Sequence, residues 1–468
     1  MVTASAKREA EGLRLVTASA KHEAGFSRLD VRISTFITSV NCSMKVIKYP
    51  KRNEWAELLK RPVMDQLSLE KKVRKVLQKV KDGGDKALKK FTKDFDGARI
   101  RKLMVSEKEI ISATQEVSIE LKEAIKLAAS NIAAFHSSQL GEEQIIETMS
   151  GVKCWRRSVA IEKVGLYIPG GTAPLFSTVL MLGIPAKLAG CKEIILCSPP
   201  QKDGTIHPVI LFAAQTVGIS KIFKAGGAQA IGAMAYGTET IPKVFKIFGP
   251  GNQYVTCAKQ RVQSEGISID MPAGPSEVCV LADELASPAF IAADLLSQAE
   301  HGADSQVLLV TTSQNLASEV KKEIKNQLRD LPRKSIALMA LENSKSIIVE
   351  TKQEAIELVN EYAPEHLIIA CEDDEGIAEK ITNAGSVFLG KFSPESAGDY
   401  ASGTNHALPT NAFAKSYSGV SVDSFVKKIT WQKLTKEGLG QIAGAVQIMA
   451  KAEGLDAHAN AVTIRLKK

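Results

Sequence analysis

Residues 164–172 read Val-Gly-Leu-Tyr-Ile-Pro-Gly-Gly-Thr, a short apolar run that breaks on a proline–glycine turn. The same texture recurs downstream. Glu193 to Cys197, Lys221 to Phe223, Val244 to Phe248 and Ile267 to Ile269 are strand-like runs, each followed by a turn and most by a helical stretch. Strands alternating with helices build a parallel sheet, because a parallel return needs a long crossover. A second series runs strand Gln306 to Thr311, helix Leu316 to Leu328, strand Ser346 to Val349, helix Lys352 to Tyr362. It continues with strand Leu367 to Ala370, helix Glu375 to Thr382 and strand Ser386 to Leu389. Two α/β units are therefore expected. Upstream, Val73, Val76, Leu77 and Val80 repeat at helical spacing until Gly83-Gly84. Ser106 and Glu109 form a capping-box pattern, and Leu121, Ile125, Ala128, Ile132 and Phe135 make an apolar stripe. From about Phe425 the chain shows one helix, Lys436 to Glu453, and few strand signals.

Composition narrows the class. With 468 residues, 44% hydrophobic and 24% charged, the chain has ordinary globular usage, which excludes a disordered, collagen-like or disulfide-scaffold protein. No apolar run reaches the roughly 20 residues needed to cross a bilayer. The net charge of +8 raises the question of nucleic acid. Yet the basic cluster Lys71, Lys72, Arg74, Lys75, Lys79 and Lys81 lacks interleaved aromatics and is mixed with Glu70, Asp82 and Asp85, as in a solvated helix face. Seven cysteines form no C-x-x-C pair and sit mostly in apolar stretches, the pattern of reduced, buried thiols. Residues 1–44 stand apart: they lack periodicity, and Val2 to Lys7 recurs as Val16 to Lys21. Arg28 to Ser43 is rich in Arg and Ser and poor in acid, as organelle transit peptides are, with cleavage expected near Cys42 to Met44. An upstream extension ahead of Met44 is the other reading.

In open parallel sheets ligands collect at the carboxyl ends of strands. There the sequence places Pro169-Gly170-Gly171-Thr172, Gly226-Gly227-Ala228-Gln229 and Gly249-Pro250-Gly251-Asn252. Glycine lets amide groups approach phosphate oxygens, so a dinucleotide fits; tight strand-to-helix turns use glycine equally, and none of the three completes G-x-G-x-x-G. Among the histidines, His22 lies in the leader, and His136 and His207 read as structural or solvated. The remaining four each sit near an acidic or amide side chain. Gln298 and His301 fall one turn apart on a helix, where both reach a single ion. Glu365-His366 opens a strand after Pro364, an acid and a base that alternation sends to opposite faces unless the turn bends both inward. His406 follows the polar stretch around Asp399 and Gly403, and Glu453 and His458 lie together near the carboxyl terminus. Together they point to a metal-assisted enzyme.

Longer blocks carry a resemblance: Gly165 to Gly171, Gly226 to Ile231, Ile247 to Asn252, Asp270 to Ser276, Leu296 to His301, Ala363 to His366 and Glu395 to Pro409. From about Lys45 on, the chain resembles the L-histidinol dehydrogenase family. The resemblance implies an α/β fold of two Rossmann-like domains with parallel sheets, one inserted in the other. Small N-terminal and C-terminal helical segments complete an intertwined homodimer. It divides the chain into a leader 1–44, an arm 45–65, a first domain 66–166 and 277–420, an inserted NAD-binding domain 167–276 and a segment 421–468 reaching the partner. It implies zinc held by Gln298, His301, Asp399 and His458, and a catalytic pair Glu365 and His366. NAD contacts would be Tyr167, Gln229 and Asn252. L-Histidinol would meet Ser276, Gln298, His301, His366, Asp399, His406, Glu453 and His458, the last two supplied by the partner subunit. The reaction implied is four-electron oxidation of L-histidinol to L-histidine through L-histidinal with two NAD. The leader resembles the transit peptide of plant members, which implies the chloroplast stroma. No nucleic acid or membrane partner is implied.

Two rival classes share the outline. A non-catalytic small-molecule binder would lack one of Glu365, His366 or the zinc ligands, and all are present. A cysteine-dependent aldehyde dehydrogenase needs a thiol in a polar, electropositive turn, a setting that none of the seven cysteines has.

Overall fold

Runs rich in Val, Ile and Leu form two parallel sheets in the computed structural model, which describes residues 44–62, 66–170 and 174–467. The leader reading, and Gly171 and Thr172 of the first glycine turn, lie outside these residues. The five-stranded sheet runs Lys221–Lys224, Glu193–Ser198, Lys163–Tyr167, Lys246–Phe248, Ser268–Ile269, all parallel. Counted along its own stretch of chain, that order is 3-2-1-4-5, the order found in dinucleotide-binding folds. The six-stranded sheet repeats it. Its order is Lys45–Lys48, Lys345–Ile348, Gln306–Thr311, Glu277–Ala282, His366–Ala370, Ser386–Leu389, again parallel throughout. The first of these is an added edge strand from near the start of the described chain, and the other five are 3-2-1-4-5.

Two elements of this sheet were not foreseen. The strand Glu277–Ala282 is central and buried at every position, so its Val278 to Leu281 run shows no alternation to mark it. The edge strand Lys45–Lys48 is mostly exposed, and its apolar part, Val46-Ile47, is too short to announce it. A third, antiparallel sheet joins Val426–Leu434, Val152–Ala160 and Ile145–Met149. Helices Lys436–Ala452 and Asp456–Leu466 follow it and pack on each other.

The upstream helices behave locally as read. Ser106 Oγ accepts from the Glu109 amide while the Glu109 carboxylate accepts from the Ser106 amide, closing the capping box. Helix Gln66–Phe95 does not stop at the glycine pair but kinks there, Gly84 taking φ +46°. The basic residues around its apolar stripe face solvent. Their tertiary placement differs from the expected grouping. Val73, Leu77 and Val80 pack with Ile195, Phe223 and Ile231, and Ile125 and Ile132 with Val164, Leu166 and Ile184. The segment 66–137 thus covers the five-stranded sheet, not the sheet built from 277 onward. Trp55 and Leu59 instead join Cys279, Leu308, Ile347 and Leu367 of the six-stranded sheet.

Candidate functional site

Histidines and carboxylates gather at the amino ends of the six-stranded sheet's central strands, the opposite end from the one that the general rule for parallel sheets singles out. Glu277 and His366 are the first residues of two adjacent strands. The helix Lys352–Tyr362 stops because Ala363 takes the left-handed conformation (φ +51°) ahead of Pro364. That turn leaves Glu365 outside the strand and bends it inward beside His366: Glu365 Oε2 lies 3.6 Å from His366 Nδ1, and both residues are buried.

The Glu277 backbone holds these groups together. Its amide donates to Glu365 Oε2 at 2.8 Å, and its carbonyl accepts from Gln298 Nε2 at 3.1 Å and lies 3.2 Å from His366 Nδ1. With the proton on Nδ1, His366 donates to that carbonyl and keeps the Nε2 lone pair for other work. Gln298, bound through its nitrogen, points its Oε1 elsewhere. That oxygen is buried with no hydrogen-bond partner among the described residues, as are His366 Nε2 and Asp399 Oδ1. Such orphans are rare in folded proteins and mark a site for an ion or ligand.

His301 lies just past the end of the helix Pro288–Ala299, not on it, its amide turning back to the Gln298 carbonyl at 3.2 Å. Its ligating atom is within 4.8 Å of those of Glu395 and Asp399, a grouping able to hold a metal ion. Glu395 is a residue the sequence reading missed. It stands four positions before Asp399 on the helix Glu395–Tyr400, a spacing that puts both carboxylates on one helix face and could have revealed it. Asp399 Oδ1 is 3.3 Å from His366 Nε2. Two carboxylate oxygens and an imidazole nitrogen, with Asp399 Oδ1 lacking a hydrogen-bond partner among the described residues, suit zinc.

Charges here are strongly biased. Burial pushes the Glu365 and Glu395 carboxyls up. Burial would lower His366, but Glu365, Glu395 and Asp399 override it and raise its pKa well above the usual imidazole value. Asp399, despite its burial, is held below the ordinary carboxylate range by His366, His406 and His301. Asp294, on the helix Pro288–Ala299, is pushed up to about 7 by burial. Between about pH 4 and 7 the folded state then keeps a proton that the unfolded chain has lost, so stability falls as pH rises through that window. Asp294→Asn is accordingly expected to raise Tm by a few degrees at pH 8 and little at pH 4. Equal shifts at both pH values would contradict this.

The second sheet meets the cluster from the other side. His406 Nδ1 is 2.9 Å from the Asp399 carbonyl and its Nε2 3.0 Å from Thr178 Oγ1, on the helix Ser177–Leu188 that follows the sheet's first strand. The glycine turns stand at the carboxyl ends here. Tyr167 Oη accepts from the Gly227 amide at 3.1 Å, and Gln229 is buried on the helix Gly227–Tyr236. Asn252 caps the helix Gln253–Gln263, its Oδ1 accepting from the Tyr254 and Val255 amides. Gly249 cannot be replaced, since a Cβ there would stand 2.1 Å from the Tyr167 carbonyl oxygen. Ser276 precedes the strand Glu277–Ala282, and its carbonyl accepts from the Gln306 amide. Glu453 and His458 are exposed, and neither belongs to the grouping around His301. Every cysteine among the described residues is free, and Cys191, Cys197, Cys279 and Cys371 have their thiols pushed up by burial, unlike a reactive nucleophile.

Two dinucleotide-type sheets, one ending in glycine turns and the other opening on a metal-capable His–carboxylate cluster, define an α/β oxidoreductase of the nicotinamide-dependent class. A sequence model of the histidinol dehydrogenase family matches residues 59–466, and the chain belongs to that family. A histidinol dehydrogenase of Bacteroides fragilis is 62% identical over 425 residues, 91% of this chain and 99% of the relative. A chloroplastic histidinol dehydrogenase of Arabidopsis thaliana is 51% identical over 433 residues, 92% of each chain. The crystal structure of histidinol dehydrogenase from Elizabethkingia anophelis superposes with a TM-score of 0.88 at 57% identity, covering 90% of this chain and 98% of that one.

Proposed function

We propose that this protein oxidises L-histidinol to L-histidine through L-histidinal, using one zinc ion per subunit and two NAD. The observation that carries the reading is two buried, unpartnered oxygens, Gln298 Oε1 and Asp399 Oδ1, the second grouped with His301 and Glu395 and 3.3 Å from His366 of the Glu365–His366 pair. Gln298, His301 and Asp399 would hold the zinc with His458 of the partner subunit; bound there, the ion would anchor the amine and imidazole nitrogens of the substrate and offset the surrounding carboxylates. His366 Nε2 takes the proton of the substrate hydroxyl as hydride passes to NAD at Tyr167, Gln229 and Asn252. Glu365 then takes a proton from the water that hydrates the aldehyde, and a second hydride leaves for a second NAD. Ser276 and His406 flank the substrate, and Glu453 of the partner subunit completes the pocket.

Supply in trans is supported by the exposure of Glu453 and His458 on a helical hairpin that bares Ile448, Met449, Leu455 and Ile464 to solvent, an apolar surface suited to a second copy of the chain. Mixing two inactive dimers, one carrying His366→Asn and the other His458→Asn, is expected to restore activity after subunit exchange. No recovery despite verified exchange would contradict shared sites. For the leader, the composition of Arg28 to Ser43 supports a plastid transit peptide, and the chloroplastic description of the Arabidopsis relative is compatible with it. The Bacteroides relative, at higher identity, carries no such description.

A further inference from the structure

Lys259 and Asp270 form a buried ion pair that the reaction as described does not use. Their side chains are each 3% exposed, and Lys259 Nζ meets Asp270 Oδ1. Both ends of the pair also close on one residue, Gly249. Lys259 Nζ donates to the Gly249 carbonyl at 2.9 Å, and Asp270 Oδ2 accepts from the Gly249 amide at 2.8 Å. The three residues come from different elements. Gly249 directly follows the strand Lys246–Phe248, Lys259 lies about two turns into the helix Gln253–Gln263, and Asp270 follows the strand Ser268–Ile269. Asp270 Oδ1 accepts in addition from the Met271 amide at 2.8 Å, so the carboxylate is fixed at the start of the link that leads to Glu277.

Gly249 opens the turn Gly249-Pro250-Gly251-Asn252 at φ +132°, a conformation that glycine alone adopts readily, and it packs directly on the Tyr167 carbonyl. At the other end of the turn, Asn252 spends its Oδ1 on the helix cap, so Nδ2 is what it has to offer a ligand. A buried ion pair is on average no more stabilising than apolar side chains of the same size, because desolvation offsets the attraction. What apolar side chains cannot do is bind both polar groups of one glycine backbone. We propose that Lys259 and Asp270 are positioning residues for NAD: by fixing the amide and carbonyl of Gly249 they hold the turn 249–252 in the shape that sets Asn252 and Tyr167 against the dinucleotide. The inference rests on the NAD reading given above. A turn already ordered in its bound shape has no ordering cost to meet when the ligand arrives, whereas a glycine turn released from this clamp would have to meet it.

The test is fluorescence titration of the zinc-loaded enzyme with NADH, alongside zinc content and a calorimetric titration with L-histidinol. It compares wild type with Lys259→Met, Asp270→Asn and the double variant Lys259→Met/Asp270→Asn. Each single variant is expected to bind NADH at least about 10-fold more weakly, the scale of losing one charge-assisted hydrogen bond. Zinc content and L-histidinol affinity should stay within a few-fold of wild type. Lys259→Met takes the ion-pair partner from a buried carboxylate, so the double variant, which removes both charges, carries the test if the single one fails to fold. The double variant is expected to regain stability over Lys259→Met without regaining NADH affinity. NADH affinity that returns with stability, or zinc, L-histidinol and NADH binding that fall together, would overturn the proposal. Asn252→Ser separates the clamp from the reading beneath it, since serine keeps a capping oxygen and loses only the amide. Wild-type NADH binding by Asn252→Ser would overturn the NAD reading of the turn; weak binding by Asn252→Ser with normal binding by the double variant would overturn the clamp alone.

Discussion

His366→Asn is expected to lower kcat by at least about two orders of magnitude while zinc content and L-histidinol affinity stay within a few-fold of wild type, the usual scale for removing a positioned general base. The reasoning is geometric. His366 is 3% exposed, its Nδ1 faces the Glu277 carbonyl at 3.2 Å and donates to it, and its Nε2 is the one ring nitrogen left for a proton. Asparagine keeps a polar side chain of similar reach, so the hydrogen bond to Glu277 can be remade, but its amide has no basic nitrogen. The proposed zinc ligands Gln298 and Asp399 touch His366 without depending on it, because Gln298 Nε2 keeps the Glu277 carbonyl. Steady-state kinetics, metal analysis and a binding titration separate the outcomes. Turnover at the wild-type rate would remove His366 from the reaction, and loss of zinc along with activity would make it a structural residue.

Arg61→Ala should destabilise the protein by about 3–5 kcal/mol, the range for removing one partner of a buried ion pair. Arg61 Nε and Nη2 donate to the two carboxylate oxygens of Glu277 at 3.0 and 2.9 Å, with side-chain exposures of 8% and 1%. Nη2 also donates to the Tyr362 carbonyl, and the guanidinium lies 3.8 Å from the centroid of the Tyr362 ring. Tyr362 Oη in turn donates to Gln306 Oε1, while Gln306 Nε2 donates to the Lys60 carbonyl. Without Arg61 the Glu277 carboxylate keeps, among the described residues, only the Asn411 amide at the head of the strand whose backbone holds Glu365, His366 and Gln298. Activity should therefore fall with stability. The control is Arg52→Ala: its pair with Glu357 is exposed at 77% and 35% and should contribute about 0–1 kcal/mol. Denaturant midpoints compared at one protomer concentration decide it, and an Arg61→Ala shift no larger than that of Arg52→Ala would contradict the account.

Legibility in the sequence followed apolar runs set off by turn residues. The runs read at Gln306 to Thr311, buried, and at Ser386 to Leu389, half exposed at the sheet edge, coincide with the observed strands, whereas the equally buried Glu277–Ala282 was missed. The ribbon Val426–Leu434 was invisible because it is solvent-exposed along most of its length; no core imposes a period on its side chains. The pairing of Glu365 with His366 depends on Ala363 taking a left-handed conformation, which alanine rarely adopts and no residue pattern signals. His301 was placed on a helix that in fact ends two residues earlier, within the ordinary uncertainty of a helix end. Glu365-His366 was read at the opening of its strand, as observed, but nothing in the sequence gathered the other residues at that amino end. The rule for parallel sheets points to carboxyl ends, and it serves the glycine turns of the five-stranded sheet. The link from Ile269 to Glu277 spans only seven residues, so it sets the carboxyl end of one sheet against the amino end of the other. Contacts such as His406 with Thr178 cross that junction, and no pattern within either unit encodes them.

The most direct test of the reaction is stoichiometric. Zinc-loaded protein is given a limiting amount of L-histidinol with excess NAD, and NADH absorbance and L-histidine are both measured at completion. Two NADH per L-histidine is the expected result; one NADH per L-histidinol with the aldehyde accumulating, or no NADH at all with zinc present, would contradict it.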